Sequence, residues 1–178
     1  MSGTELTTRG MIYASLFGAL TAIGALISIP LQPVPVTLQP LFLYLAGSLL
    51  GGTLGALSQI IYVILGVIGL PVFSGGKAGL GVFLGPTGGY IVGFVAAAFV
   101  TGRIVQARRE PGLVWYVFAM LAGTAVVYGL GVFQLVLVGK LSLGKAAAVG
   151  VLPFLPGDAL KIAAASVIAL KVKDHIRL

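Results

Sequence analysis

The sequence predicts an all-α membrane protein: a single domain over residues 1–178, built from six transmembrane helices with both termini in the cytoplasm. Three observations carry that prediction. Hydrophobic residues make up 58% of the chain and charged residues only 8%, where an average soluble domain has about 25% charged. No Asp, Glu, Lys or Arg occurs between Arg9 and Lys77, and no water-facing fold can cover its surface from such a stretch. Prolines, glycines and the few charges cut the chain into six apolar runs, most of them near the roughly 20 residues that a spanning helix needs.

Span one, residues 10–29, reads as a retained helix: the apolar run from Met11 is longer than the usual core of a cleaved leader and lacks a cleavage motif. Pro30 stops it. The following PLQPVPV segment (30–36) cannot be helical, because each proline holds the residue before it extended. At membrane depth such backbone has to be buried in protein or line a cavity; the alternative is an ordinary loop outside the membrane. Span two, residues 37–50, is short, reaching about 21 Å of a hydrocarbon core about 30 Å thick. Gly51-Gly52 ends it. Span three covers residues 53–70 up to Pro71, and span four residues 86–105, with Pro86 expected in its first turn. Spans five and six cover residues 113–138 and 156–172.

Orientation follows from the basic flanks. Arg9, Arg103, Arg108, Arg109, Lys171, Lys173 and Arg177 fall on one side, against Lys77, Lys140 and Lys145 on the other, which puts the richer side in the cytoplasm. The net charge of +7 is thereby explained by span ends rather than by a nucleic-acid-binding face. Zero cysteines exclude disulfide scaffolds, thiolate metal sites and cysteine nucleophiles. With one histidine, His175, outside the spans and only four acids, neither an enzyme nor a metal or other cofactor is expected.

Asp158 and Lys161 in PGDALK are the leading candidates for a binding site. Three residues apart on a helix, they share a face, and ionisable groups within spans usually face an interior or cavity. A second reading makes Asp158 a favourable charge at a helix N-terminus behind Pro156, with Lys161 merely neutralising it or snorkelling outward. The glycine-rich loop of residues 71–90 contains Gly76, Lys77 and the apolar Val82-Phe83-Leu84, and reads either as a lid or as an outer linker. It is no Walker phosphate loop, because Ala78 follows Lys77. Gln39, just after the proline-rich segment, is placed to face a pocket. Tyr44, Tyr62, Tyr90, Trp115 and Tyr128 read as interface anchors or packing groups. Ala14, Gly18 and Ala22, at four-residue spacing, permit close approach by another helix, either of this chain or of a partner.

Taken together, PVPVTLQ (33–39), GLPVFSGGKAGLGVFLGPTGGY (69–90) and PGDALK (156–161) resemble, in this order and spacing, the BioY family. Its members are biotin-specific substrate-binding subunits (S components) of energy-coupling factor (ECF) transporters. The resemblance implies a six-helix S-component fold in a prokaryotic cell membrane, which takes biotin from outside and releases it inside. It implies partners: a transmembrane coupling protein (T component) and two ABC ATPases, whose ATP hydrolysis topples the subunit. It carries substrate binding to Asp158 and Lys161, with Lys77 at a loop position often Asn or Arg in relatives, and with Gly76, Gln39 and Tyr90 completing the set. It assigns the Ala14/Gly18/Ala22 stripe to the T-component contact. The chemistry fits: Asp158 can accept from the ureido N–H groups, Lys161 can donate to the ureido oxygen, and Lys77 can meet the tail carboxylate, unless Lys161 does so. An S component for another small vitamin, or a homo-oligomeric biotin carrier without ATPases, are the alternatives.

Overall fold

The hydroxyl of Thr7 caps the first helix by accepting from Gly10 N–H at 3.1 Å, and α1 then runs Thr8–Leu26 in the computed structural model, which describes residues 7–176. α1 stops short of residue 29, because Ser28–Ile29 (β1) pairs antiparallel with Val36–Thr37 (β2), Ser28 opposite Thr37. That small ladder closes the proline-rich segment into a loop. The Leu38 N–H, bonded to Gly24 O and Ile27 O at 3.1 Å each, ties its far end back to α1.

The second helix, α2 (Gln39–Val67), is broken at Gly51, whose φ of 81° and ψ of −179° suit glycine alone. The chain reverses there. A methyl group on Gly55 would fall 2.8 Å from Gly47 Cα, although two turns along a straight helix would separate them by about 12 Å. Near the open ends of the two arms the Gln39 amide donates to the Tyr62 hydroxyl. Residues 39–50 and 52–67 therefore lie side by side, so the expected spans two and three form a hairpin about the glycine pair.

Beyond the glycine-rich loop, which holds a 3-10 turn at Ser74–Gly76 and a short helix α3 (Leu80–Phe83), the chain enters α4 (Gly88–Gln106). Pro86 precedes α4 rather than occupying its first turn. It sits in a turn closed by Gly88 N–H on Gly85 O at 3.1 Å. α5 (Leu113–Gly139) runs antiparallel to α4: Thr101 Oγ1 donates to Ala119 O at 3.3 Å, and Gly93 packs on Val127. At the α4–α5 turn Trp115 Nε1 donates to Ile104 O at 2.8 Å, and Arg108 stacks 4.0 Å over the indole. α6 (Leu143–Gly150), capped by Ser142, and α7 (Leu155–Val172) meet at 52°. α3 and α6 had no counterpart among the expected spans.

Among the described residues, α1, α2, α4 and α5 are each long and apolar enough to cross a membrane, and the bent α6–α7 pair makes a fifth candidate. The surface is apolar: Ile12, Phe133, Leu137 and Leu160 are all exposed. On α7 the contrast is direct, with Leu160 74% exposed and its neighbour Lys161 only 8%. Polar groups inside and apolar groups outside is the arrangement that lipid selects.

The small-residue stripe on α1 turns inward. Ala14 is fully buried, a methyl group on Gly18 would lie 2.9 Å from Ser58 O, and Ala22 is half-buried. Gly18 thus packs on the 52–67 arm and Ala14 is buried within the chain, which corrects the assignment of these two residues to a partner-facing surface. Four-residue spacing permits close approach without saying to which helix. Arg177, counted above with the cytoplasmic charges, lies outside the described residues.

Candidate functional site

Pro156 in the first turn of α7 fixes where that helix starts, and the next two turns place Asp158 and Lys161 on its inner face. Lys161 Nζ lies 2.7 Å from Asp158 Oδ1, with both side chains buried. The other carboxylate oxygen, Oδ2, accepts from the Tyr128 hydroxyl of α5 at 2.6 Å. No side chain caps α7; Asp158 lies in its first turn, as the helix-terminus reading has it, and its carboxylate oxygens are held by Tyr128 and Lys161. Lys161 does not snorkel. Each Asp158 oxygen keeps a free lone pair and Lys161 two unused N–H donors, so a ligand can be added without dissolving the pair.

The trio borders a cavity of about 620 Å³, within the range of roughly 300–1,000 Å³ usual for small-molecule sites. The proline-rich and glycine-rich loops both contribute to its wall. The proline-rich loop supplies Pro30 to Pro35. Gln39, Tyr62 and Phe73 form one side, Tyr90, Phe94 and Phe154 another, and Ser74, Lys77, Gly81 and Val82 of the glycine-rich loop form the roof. The glycine-rich loop is thus a cover rather than an outer linker. The lining is mainly apolar and aromatic around one cluster of charge, a composition suited to a compact organic ligand with a polar head.

The remaining sequence candidates fare differently. Gln39 is buried in the wall, but its Oε1 accepts from Thr37 Oγ1 at 3.0 Å and its amide nitrogen donates to Tyr62. One amide hydrogen is left for a ligand. The Tyr90 ring lines the cavity, stacked on Phe154 at 6.2 Å, yet its hydroxyl donates to Gly150 O at 2.8 Å and braces α6. Lys77 is exposed at the roof, its ammonium without a partner among the described residues. Gly76 is not part of the lining, although Ser74, Gly75 and Lys77 around it are. Its φ of 71° instead helps form the tight turn that bridges Phe73 to Lys77.

Tyr128 and Tyr62 were read from the sequence as packing groups, and the structure makes both part of the polar lining. The available signal was the rule that a buried tyrosine hydroxyl needs a partner, applied to a chain with one intramembrane acid. Tyr128→Phe is expected to weaken ligand binding roughly tenfold with little loss of folding, since it removes one hydrogen bond to a charged group. Equilibrium binding of the purified variant checks this.

With this geometry in hand, comparison with known proteins is decisive. The sequence pattern of the BioY family matches residues 1–178. The chain belongs to the BioY family. The biotin transporter BioY of Thermotoga maritima is 44% identical over 165 residues, covering 93% of this chain and 96% of that protein. The biotin transporter BioY of Rhizobium etli is 39% identical over 178 residues, covering 94% of each. The probable biotin transporter BioY of Pyrococcus horikoshii is 43% identical, covering 90% of this chain and 94% of that protein. Among solved structures, the S-component for biotin from an ECF-type ABC transporter superposes with a TM-score of 0.87 at 28% identity, covering 98% of this chain and 95% of that one. BioY membership and the apolar helices together define a multi-pass cell-membrane protein of a transporter family, not an enzyme.

Proposed function

We propose that this BioY protein is the biotin-capturing S component of an ECF-type transporter. The observation that carries this reading is the Asp158–Lys161–Tyr128 cluster, buried beside a cavity with aromatic and proline-rich walls. A ureido group presents two N–H donors and one carbonyl acceptor. Asp158 takes the donors, Lys161 one turn away gives to the oxygen, and the apolar walls take the thioether ring. The tail carboxylate then points to the roof, where Lys77 carries a free ammonium. Gln39 and the ring of Tyr90 complete the walls. Relatives and the solved neighbour that are biotin proteins support the ligand.

Counting the two arms of α2 separately gives six crossings: α1, 39–50, 52–67, α4, α5 and α7. The basic ends at Arg9, Arg103, Arg108 and Lys171 then share the cytoplasmic side with both termini, and the cavity opens outward. The chain has no phosphate-binding loop, so pumping falls to a T component and two ABC ATPases, which topple the loaded subunit to release biotin inside. Because Ala14 and Gly18 are engaged within the chain, α1 meets the coupling protein through its exposed residues, such as Leu16 and Ile23.

Calorimetric titration of the detergent-purified chain is expected to show saturable biotin binding and no heat with thiamine or riboflavin. Absence of biotin binding, or equal response to all three, would overturn the proposal. Trp115 is a poor reporter. It sits at the α4–α5 turn and does not line the cavity, so biotin is expected to leave its emission nearly unchanged.

A further inference from the structure

The roof of the cavity is attached at both ends, and the two attachments differ. At its start the buried Phe73 ring packs edge-on against Tyr62, centroids 5.6 Å apart, and closes over Gly66. At its end the one-turn helix α3 leaves backbone carbonyls without intrahelical partners, as any helix terminus does. Gln134 of α5 reaches this end: its Nε2 donates to Phe83 O of α3 at 3.2 Å and to Gly85 O just beyond it at 2.6 Å, the latter shared with the Gly88 N–H. Thr87 Oγ1 adds a weaker bond to Val82 O at 3.3 Å. A second observation shows that space is kept for this side chain. A methyl group on Gly88 would stand 2.6 Å from Gln134 Nε2, and one on Gly89 would stand 2.7 Å from Gln134 Cβ. The tightest contacts of the pair are backbone, Gly88 on Phe83 O and Gly89 on Leu130 O, so the glycines bring the loop end, α4 and α5 together with the Gln134 side chain between them.

Between the two attachments, Gly75, Gly76 and Gly79 all have positive φ, and Leu80 and Leu84 are exposed. The roof's other ties are the Gly79 N–H on Gly66 O at 2.7 Å, the Gly88 N–H on Gly85 O at 3.1 Å and the half-buried Val82 and Phe83, so Gln134 is the side chain that reaches it from α5. We infer that Gln134 is a positioning residue, a latch whose amide keeps residues 79–85 over the cavity and so sets how long a ligand stays inside. It touches no ligand. The inference rests on the biotin-binding reading for its kinetic consequence, but not for the latch itself.

Two variants and two readouts test it. Gln134→Glu keeps the shape but presents a carboxylate to two carbonyl oxygens, while Gln134→Leu removes the polar group. In a Val82→Cys background, otherwise free of cysteine, both changes are expected to speed maleimide labelling of the ligand-free protein about tenfold, as local opening becomes easier. Labelled biotin is expected to dissociate about tenfold faster with association little changed. Acidification should slow labelling of the Glu variant again, because a protonated carboxyl can donate one of the lost bonds, and leave the Leu variant fast. Unchanged labelling in both variants, or no difference between Glu and Gln at neutral pH, would overturn the latch. Faster labelling in a protein that binds no biotin at all would leave the latch standing and refute the biotin reading.

Discussion

Asp158→Ala is expected to lower biotin affinity more than a hundredfold, the largest binding effect of any single substitution in the cavity. Two losses combine. The ureido N–H groups lose a charged acceptor, at about 1.5–3 kcal/mol per bond in a site that excludes water. The Lys161 ammonium is also left buried without its partner, and breaking a buried pair in this way is destabilising by about 3–5 kcal/mol. Because the second loss acts on folding as well as on binding, the double variant Asp158→Asn/Lys161→Met separates them. Neutralising both partners is expected to restore a melting temperature close to that of the parent in detergent, while biotin binding stays lost. Parent-like affinity in Asp158→Ala would show that Asp158 only neutralises Lys161.

The second large effect concerns the hairpin. Gly51→Val is expected to destabilise the fold by about 3 kcal/mol or more, from a backbone conformation that side chains rarely adopt and from overlap with the Gln106 amide, which accepts from Gly52 N–H at 3.2 Å. Gly102→Leu should act similarly from the other side, because even its Cβ would overlap the backbone of Gly51 and Gly52. Gly129→Ala and Gly144→Ala are the controls, since a methyl group meets open space at both. Thermal unfolding in detergent is expected to shift strongly for the first pair and barely for the second. Equal shifts would mean that close packing at the hairpin does not hold the arms together. The hairpin matters to the site: its two arms bring Gln39 and Tyr62 to the same wall and hold Tyr44 against Thr124, with hydroxyls 2.6 Å apart.

Much of this was legible in the residues because lipid imposes a simple grammar. A charge-free run from Gly10 to Gly76 calls for membrane helices parted by its prolines and glycines, Gly51-Gly52 marks a break, and an acid and a lysine one turn apart on a span usually face inward. What sequence could not fix is which distant groups meet. Tyr128 and Asp158 are 30 residues apart, and Gln134 and Gly85 are 49 apart, so nothing local marks either bond. Ala14 and Gly18 of the α1 stripe turn inward for the same reason: small residues announce a close neighbour but not its identity. α3 and α6 escaped notice because one- and two-turn helices have no periodicity to read; packing and caps such as Ser142 make them.

On the proposed function, the Asp158–Lys161 pair grips the ureido head of biotin. A structure of the biotin-loaded protein tests it most directly, at a resolution where the two ends of the ligand can be told apart. Ureido nitrogen is expected within about 3 Å of Asp158, ureido oxygen at a similar distance from Lys161, and the carboxylate under the glycine-rich loop near Lys77. Biotin bound the other way round, or lying outside this cavity with the pair still closed on itself, would contradict it.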